Sequence, residues 1–463
     1  MTIDKTGIDR RTFMKGTAAA AAALPLGGLL GSTGLSTSAF AQDAANPFKV
    51  ADGSTVDAVI FNGGYGIDYV QFAADIMQKA HPKVTVKVSP STKIATELQP
   101  RFIGGNPPDL IDNSGADLIG WSAIIDQSED MNALLDSPNL EGTKIRDTLF
   151  GGVEAPGTFG DKFIALNYVM TLYALWYSQS LFETNSWTPP TTWAEAKELG
   201  AKAKEKNLYL FGWGKEAATY YQTTAIGSAI KEGGDEVRLA LDNIQPKCWS
   251  HPAVQSVFTA LYDIIQAGYI KPGGSGTQFT AAQAQWSNDE SFLLYPSGSW
   301  IENEMKKATK DGFKMTGIPE LTVTDNAKMP KTALHATAGE PFIIPTAGVN
   351  VAGGKELLRT MLSKEAATNF VKTRLAPTIV KGLVPADGFG STALVSQNKL
   401  LADAGTNVFS WNFVDLYGTN SDQLVVWNSF LDGKLDVAGL TSGLQKITDA
   451  VYNDSSVTKV VVK

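Results

Sequence analysis

The chain has 463 residues, 43% hydrophobic and 19% charged, which is the composition of a globular protein long enough for two domains. The formal net charge is −8 and both signs are mixed along the chain, so no basic run is present that could bind nucleic acid. One cysteine and three histidines without metal-ligand spacing exclude an intramolecular disulfide and a structural zinc site, and neither a metal nor a cofactor is predicted.

The N-terminal segment is interpreted as an export signal and not as part of the fold. Arg10 and Arg11 stand before an aromatic and an aliphatic residue with a lysine following, a pattern that resembles the twin-arginine export signal. The apolar stretch over 17–30 is too short and too glycine-rich to span a bilayer comfortably, and an N-terminal membrane anchor is the alternative. The Ala39-Phe40-Ala41 segment fits a signal peptidase site, which predicts removal of the signal and a mature start at Gln42.

The mature chain is expected in the periplasm. No cysteine follows the apolar stretch, which excludes a lipid anchor. An exported chain without an anchor would diffuse away from a cell that lacks an outer membrane. No other stretch has about 18 consecutive apolar residues, so no membrane span is predicted after the signal.

The hydrophobic pattern after the signal alternates between strand and helix. Short apolar, β-branched runs predict strands over 56–61, 84–88 and 109–112, and helical spacing of apolar residues predicts helices over 68–80 and 94–102. A strand–helix–strand–helix–strand series predicts an α/β fold with a parallel sheet flanked by helices.

Two predicted loops follow strands of this sheet and carry candidate ligand-binding residues. Tyr65 lies between glycines after the first strand, and Asp112, Asn113 and Ser114 lie at the end of the third strand. In parallel sheets ligands collect at the carboxyl ends of strands, so we expect these loops to face a ligand.

The remainder of the mature chain is predicted to mix long strands with many helices. The apolar run over 169–177 is long enough for a strand that crosses between two lobes, and further crossings are predicted near 313–319 and after 341–345. Further strands and helices are predicted over 291–295, 193–206, 355–362 and 364–373.

Several short motifs occur along the chain in a recurring order. They are a glycine-bearing hairpin near 160–163, the apolar crossover, Trp176-Tyr177-Ser178, a helix start at Pro190-Thr191-Thr192-Trp193 and a strand end at Gly298-Ser299-Trp300. In this order they resemble the extracellular solute-binding proteins of carbohydrate ABC importers, the family that includes maltose-binding protein.

A narrower resemblance is to the subgroup that binds N-acetylglucosamine and N,N′-diacetylchitobiose. Many members of that subgroup carry a lipobox cysteine, which is absent here. The segments that carry this resemblance are 61–66, 98–102, 112–116, 146–149, 165–168, 298–304 and 339–342.

The resemblance implies a two-lobed periplasmic-binding-protein fold of type II, in which each lobe is a mainly parallel sheet flanked by helices and a multi-strand hinge joins the lobes. The expected lobes are 47–165 plus 320–350, and 168–315 plus 355–463 with the C-terminal helices. It also implies a monomer that binds a small carbohydrate, such as N-acetylglucosamine or chitobiose, and passes it to ABC permease subunits in the inner membrane.

A sugar site needs aromatic faces for the C–H patches of the pyranose ring, and polar groups for its hydroxyls. Residues at strand ends or beside small neighbours are the candidates for these roles. The aromatic candidates are Tyr65, Trp213, Trp300 and Trp411, and the polar candidates are Arg101, Asp112, Asn113, Ser114, Ser299 and Glu340.

Two of the polar candidates have open alternatives. Glu340 follows Gly339 just before an apolar strand, where a buried carboxylate needs a partner such as a sugar hydroxyl. Arg101 is expected to pair with Asp112 or Glu340, and a purely structural salt bridge is its alternative.

Two other functions stay open from the sequence. Asp112 and Glu340 can be drawn as the carboxyl pair of a secreted glycan-active hydrolase or lyase. A binding protein for another sugar or a non-sugar solute is the second alternative. No nucleophile elbow, phosphate-binding loop or paired-histidine metal motif occurs in the sequence, so no catalytic residue is predicted.

The signal assignment predicts that replacing both Arg10 and Arg11 by lysine leaves the precursor in the cytoplasm. Fractionation followed by N-terminal sequencing measures this, and the wild-type mature protein should begin at Gln42 or within a few residues of it. Normal export of the double variant would contradict the twin-arginine assignment.

Overall fold

The computed structural model describes residues 45–115, 117–455, 457 and 459–462. The predicted signal segment and the predicted mature start at Gln42 therefore lie outside the described residues. The strands are β1 Thr55–Phe61, β2 Thr85–Ser91, β3 Leu110–Asp112, β4 Thr158–Phe159, β5 Lys162–Phe163, β6 Leu166–Ser178, β7 Tyr209–Phe211, β8 Phe292–Gly298, β9 Met315–Ile318, β10 Leu334–Ile343 and β11 Val408–Phe409. The α-helices are α1 Asp68–Ala80, α2 Ile94–Ile103, α3 Trp121–Ile124, α4 Asn132–Leu135, α5 Ile145–Thr148, α6 Gln179–Asn185, α7 Trp193–Glu205, α8 Thr219–Gly233, α9 Asp235–Asp242, α10 Pro252–Gln266, α11 Phe279–Ser287, α12 Ile301–Met305, α13 Val351–Met361, α14 Lys364–Arg374, α15 Thr392–Ala404, α16 Phe413–Tyr417, α17 Asn420–Leu431 and α18 Val437–Asn453.

The predicted βαβ series is confirmed in the first part of the chain. Strand β1 pairs in parallel with both β2 and β3, and its fully buried residues Val56, Ala58 and Ile60 alternate with the opposite face. Helix α1 buries Tyr69, Val70, Ala73, Ala74 and Met77 on one face, at the spacing that an amphipathic helix requires. The helices return the chain to the amino ends of the strands, so the loops after β1 and β3 lie at the same edge of the sheet.

Two long antiparallel strands connect the two parts of the sheet. The 13-residue strand β6 pairs with β10 from Leu166↔Phe342 to Leu172↔Ala336, and then with β8 from Tyr173↔Gly298 onward. At its other end β10 pairs with β3, so the sheet has the order β2-β1-β3-β10-β6-β8-β7. The prediction of a long crossover strand over 169–177 is confirmed by β6.

The other two predicted crossings need correction. The segment near 313–319 forms β9, which pairs with the far end of β6, residues 175–178. The crossing expected after 341–345 is made earlier by β10 itself. Both errors have one cause, because strand partners are set by tertiary pairing and short apolar runs do not specify them.

The second part of the sheet is less parallel than expected. In this part β7 pairs in parallel with β8, and β11 pairs in parallel with β10, whereas β8 and β9 are both antiparallel to β6. A large apolar core, which includes the buried Trp249 and Trp427, packs under this part. The α/β fold class and the two-lobed substrate-binding architecture are confirmed, with a mixed sheet.

Helices α13 and α14 pack against α1, and their apolar residues Leu357 and Phe370 belong to the core under β1. These contacts favour assigning residues 351–374 to the first lobe, although the sequence predicted that lobe II resumes at 355. The lobe boundaries themselves stay a prediction. In the part of the chain that the structure describes, no helix combines the length and apolarity needed to cross a membrane.

Trp213, a candidate for sugar stacking, lies in the core of the second part. Its side chain is buried, and its indole N–H donates to Asn428 Oδ1 at 3.1 Å. A Cβ added to Gly274 would lie 2.1 Å from the Trp213 ring, so the indole packs directly on the Gly274 backbone. These contacts indicate a packing role for Trp213.

We expect Gly274→Ala to lower the free energy of unfolding by about 1–3 kcal/mol, because the added methyl group overpacks the Trp213 ring. Gly276→Ala is the matched control, since a Cβ there meets no atom within 4 Å. Denaturant unfolding of both variants measures the difference, and equal stability of the two would contradict this packing.

Candidate functional site

A buried polar cluster lies where β3 ends. Asp112 is fully buried; one of its carboxylate oxygens accepts a hydrogen bond from the Ser114 hydroxyl, and the other accepts one from the Tyr69 hydroxyl at 3.4 Å. Burial, and then the neighbouring carboxyl of Glu340, raises the pKa of Asp112 well above its ordinary value. Asp112 therefore holds a proton more readily than an exposed aspartate does.

Glu340 reaches this cluster from the crossing strand β10. Its backbone has φ of +57°, although it lies between the paired residues Gly339 and Pro341 and a residue before proline normally stays extended. Such strain persists where the surrounding structure holds it, and it is common at binding sites. Burial raises the pKa of Glu340, whose carboxyl also interacts with Ser114.

Tyr65, on the loop after β1, carries a buried hydroxyl. The residue is 6% exposed, and among the described residues its hydroxyl makes no hydrogen bond of normal geometry. Ser299, Glu340 and Tyr173 are its polar neighbours, and burial raises its pKa. A buried hydroxyl without a partner is costly, so a ligand atom would stabilise it.

An aromatic cluster continues from Tyr65 along β6 and β10. Tyr173 and His335 stack with ring centroids 4.5 Å apart and an interplanar angle of 13°. Trp300 meets Tyr173 edge-on at 5.6 Å and Tyr220 at 6.0 Å. Trp300, Tyr173 and Tyr220 are all half-buried, so each retains exposed ring surface.

Trp411 extends the cluster on the other side of His335. It stacks on His335 at 5.4 Å, is half-buried, and has an indole N–H without a hydrogen-bond partner within the described chain. Asp415 lies close enough to Tyr173 to raise the pKa of its phenol, after the larger effect of burial. Glu304 similarly raises the pKa of Tyr220 and accepts a 2.6 Å hydrogen bond from Gln283.

The buried carboxyl of Glu320 lies next to the His335 ring. Its Nδ1 lies 4.0 Å from Oε1 of Glu320, and burial lowers the pKa of His335 to about 3 and raises that of Glu320 to about 7. Lys231 donates to the backbone carbonyls of Glu320 at 2.5 Å and Lys331 at 2.7 Å. His335 is therefore neutral at physiological pH, and its contact with Glu320 is not an ion pair.

The structure brings most of the predicted site residues into one region. Asp112, Ser114 and Glu340 meet at the polar cluster, and Tyr65 connects them to the aromatic cluster. Trp300 and Trp411 lie on opposite sides of the stacked Tyr173–His335 pair. Ser299 is buried beside them, where its hydroxyl accepts a hydrogen bond from the Leu172 backbone at 3.4 Å.

Three predicted residues are not brought into this region. Trp213 packs in the core. The Asn113 side chain forms two hydrogen bonds with the backbone of Ile119, so it stabilises the loop that follows β3. Arg101 forms a 2.7 Å salt bridge with Asp57, and not with Asp112 or Glu340. Helix α2 runs opposite to the strands, so its last turn lies at their amino ends, away from the site.

Sequence reasoning missed five residues of the region, for identifiable reasons. Tyr173 was not predicted because it lies within a long apolar run, which indicates core residues. It is the one half-buried residue of β6, whose other positions are buried. His335 was weighed only as a metal ligand, and Glu304 only as a charge in the first turn of a helix. Nothing in the local sequence marked Tyr220 or Asp415, since only tertiary contacts bring them here.

The two clusters together form a surface of partly exposed rings with carboxyls at its edge. This surface can stack on apolar ring faces and exchange hydrogen bonds with hydroxyls. Within the described residues no group of three or more His, Cys, Asp or Glu side chains could hold a metal ion. A cavity of about 450 Å³ lies elsewhere, between β9 and α15, and none of the predicted site residues lines it.

Comparison with known proteins gives one family and one high-identity relative. A family model described as bacterial extracellular solute-binding protein matches residues 51–368. The diacetylchitobiose binding protein NgcE of Streptomyces coelicolor is 58% identical over 475 aligned residues, and the match covers 100% of both chains.

Solved structures agree on the fold. The apo form of RafE from Streptococcus pneumoniae matches with a TM-score of 0.67 and 17% identity, covering 86% of this chain and 98% of RafE. A chitin oligosaccharide binding protein matches with a TM-score of 0.65 and 16% identity, again over 86% and 98%. At such identities the likeness establishes a shared fold.

The buried carboxyl behind His335 predicts a change in pH dependence for Glu320→Gln. Because its pKa rises from 4.5 to about 7 on folding, Glu320 binds a proton more tightly in the folded state, and this stabilisation is lost as the pH rises from 5 towards 7.5. Glutamine does not titrate, so the melting temperature of the variant minus that of the wild type should increase from pH 5 to pH 7.5. Glu198→Gln, on the exposed face of α7, is the control, and a difference that is independent of pH would refute the assignment.

Proposed function

Because the chain belongs to the bacterial extracellular solute-binding protein family, we propose that it binds N,N′-diacetylchitobiose or N-acetylglucosamine and delivers it to an ABC importer. The observation that carries the sugar assignment is the 58% identity, over full length, to a diacetylchitobiose binding protein. Membership of the family implies an exported protein with a solute ligand and permease partners, and the aromatic surface fits a carbohydrate.

The half-buried rings support stacking on the sugar. Trp300 follows β8 directly, and a Cβ on Gly298 would lie 2.1 Å from its ring, so the missing side chain allows the indole to lie against the backbone. The ring also contacts Tyr173 and Tyr220, and it stays half-buried, so part of its surface remains exposed. In this proposal a pyranose ring covers that surface, and a second unit of a disaccharide extends towards Trp411.

The polar cluster supplies hydrogen bonds for the sugar hydroxyls. Asp112 is buried and Glu340 half-buried, and burial raises the pKa of both carboxyls, so between them they can both donate and accept. The Tyr65 hydroxyl, which makes no hydrogen bond of normal geometry with the described residues, is the third polar group assigned to the sugar. We assign these three residues, with Ser114, to ligand hydroxyls.

The β6–β10 pair serves as the hinge in this proposal. Closure of the lobes would bring residues from both parts of the chain around the sugar, and ligand binding would select the closed population. The first lobe would comprise about 47–165 with 320–350 and also 351–374, and the second the remaining chain. The protein would act as a monomer in the periplasm after export by the twin-arginine route.

We propose that the sugar is released unchanged. A hydrolase needs one carboxyl as general acid and another as nucleophile or base on the two sides of the scissile bond. Asp112 and Glu340 instead both interact with the Ser114 hydroxyl, which supports an arrangement with both carboxyls on one side of the sugar. An assay for product release from chitobiose, run beside the binding measurement, tests this point.

Calorimetry of the mature protein against diacetylchitobiose, N-acetylglucosamine, glucose and maltose tests the sugar assignment. We expect binding of the two N-acetylated sugars and weak or no binding of the other two. Binding of glucosides with indifference to N-acetylglucosamine would reject the assigned sugar class but not the family.

Trp300→Ala is expected to reduce affinity for the preferred sugar by roughly thirtyfold or more, since loss of a buried aromatic contact costs about 2 kcal/mol. Trp193→Ala is the control, because Trp193 is a core residue whose indole N–H donates to Ser228 Oγ. The control should melt much earlier, and Trp300→Ala should shift the melting temperature modestly. A Trp300→Ala protein that binds normally would reject the stacking role.

A further inference from the structure

Helix α12 and the loop after β1 contact each other, although their strands lie far apart in the sheet. The side-chain amide of Asn303, on α12, donates a hydrogen bond to the backbone carbonyl of Gly64 at 2.5 Å. In the sheet β1 and β8 are separated by β3, β10 and β6. The hydrogen bond therefore joins two segments that the proposed function places in different lobes.

The strand directions explain why these two segments meet. Strand β8 is antiparallel to β6 and ends at Gly298, opposite Tyr173. Strand β1 runs in the same direction as β6, because β3 is parallel to β1 and antiparallel to β10, which is itself antiparallel to β6. Phe342 of β10 pairs with both Asp112 and Leu166, so β3 ends level with the first residues of β6, well before Tyr173. The carboxyl ends of β1 and β8 therefore face each other across the space between the two parts.

Trp300 makes a second contact between the same two parts of the chain. It comes directly after β8, and its half-buried side chain packs against the apolar core under β1. This apolar contact is independent of the Asn303 hydrogen bond. Both contacts place the residues that follow β8 against the first part of the chain.

Both partners of the hydrogen bond are held in position by their neighbours. Lys306 Nζ donates to Asn303 Oδ1 at 3.0 Å, so the amide oxygen is occupied and the amide nitrogen is turned towards Gly64. The backbone N–H of Gly66 donates to the Gly63 carbonyl at 3.0 Å, which closes a turn with Gly64 and Tyr65 as its central residues. The turn that carries Tyr65 therefore also presents the carbonyl that Asn303 binds.

We propose that Asn303 is an affinity-determining residue that does not touch the sugar, because its hydrogen bond to Gly64 forms when the two lobes close and holds them over the bound ligand. This inference rests on the proposed function, since it needs a sugar that closes the lobes. The hydrogen bond stabilises the closed form whichever sugar is bound, and a larger closed population raises the apparent affinity.

The test is calorimetry of Asn303→Ala with diacetylchitobiose and with N-acetylglucosamine. Affinity should fall by roughly threefold to tenfold, which is the net worth of one hydrogen bond, and by the same factor for both sugars. A residue that contacted the ligand would change the two affinities by different factors, since a disaccharide and a monosaccharide fill the site differently.

Asn288→Ala is the matched control. Asn288 is an exposed asparagine after α11, and its amide donates to the adjacent Asp289 at 3.0 Å. Both affinities of this variant should stay within twofold of the wild type. Asn303→Asp should weaken binding at least as much as Asn303→Ala, because a carboxylate has no proton to donate to the Gly64 carbonyl.

Small-angle scattering during a titration with diacetylchitobiose gives a second readout. Saturated Asn303→Ala should reach the radius of gyration of the saturated wild type, because the residues assigned to the sugar are unchanged. Its half-saturating sugar concentration should be higher by the same factor as in calorimetry. The hydrogen bond is exposed, so the sugar-free variant should keep the wild-type melting temperature.

The outcomes separate this inference from the proposed function. Wild-type affinities in Asn303→Ala would overturn the inference and leave the proposed function intact. Losses that differ more than threefold between the two sugars would also overturn it, since they would indicate that Asn303 contacts the ligand. Failure of the wild-type protein to bind either sugar would overturn the proposed function, and the inference with it.

Discussion

The antiparallel pairing of β6 with β10 is the constraint on which the rest of the structure depends. The pairing runs from Leu166↔Phe342 to Leu172↔Ala336, and each strand also pairs with a different part of the sheet. One register step beyond Leu172↔Ala336, it places Tyr173 opposite His335, and the two rings stack at 4.5 Å. A shift of one residue would turn both rings to the other face of the sheet and remove the aromatic surface.

The same strand pair carries the strained Glu340. Its left-handed backbone interrupts an otherwise continuous register, and the carboxyl reaches the Asp112 cluster at the end of β3. Backbone strain of this kind costs on the order of 1–3 kcal/mol, which the long flanking pairing can sustain. Strain of this kind is common at binding sites, which agrees with the proposed role of Glu340.

The aromatic rings and the carboxyls of the region have complementary properties for binding a sugar. Rings such as Trp300 and Tyr173 supply broad apolar faces with little loss of side-chain entropy, and carboxyls at their edge supply directional hydrogen bonds. Burial raises the pKa of Asp112 and Glu340, and among the described residues neither carboxyl forms a salt bridge that would stabilise its charged form. A hydroxylated ligand would provide a partner for the Tyr65 hydroxyl, which makes no hydrogen bond of normal geometry with the described residues.

The sequence by itself determined the features that depend on local pattern. Periodicity located α1 at Asp68–Ala80, β-branched runs located β1, and the length of the apolar run identified β6 as a crossover. Strand ends, and the small residues beside Trp300, identified most of the residues that now meet at the site. Only the tertiary structure decided that Arg101 pairs with Asp57, that Trp213 packs on Gly274, and that Trp300 contacts both Tyr173 and Tyr220. The reason is physical: local periodicity reports which face of an element is apolar, whereas strand register and helix direction decide which distant side chains share that face.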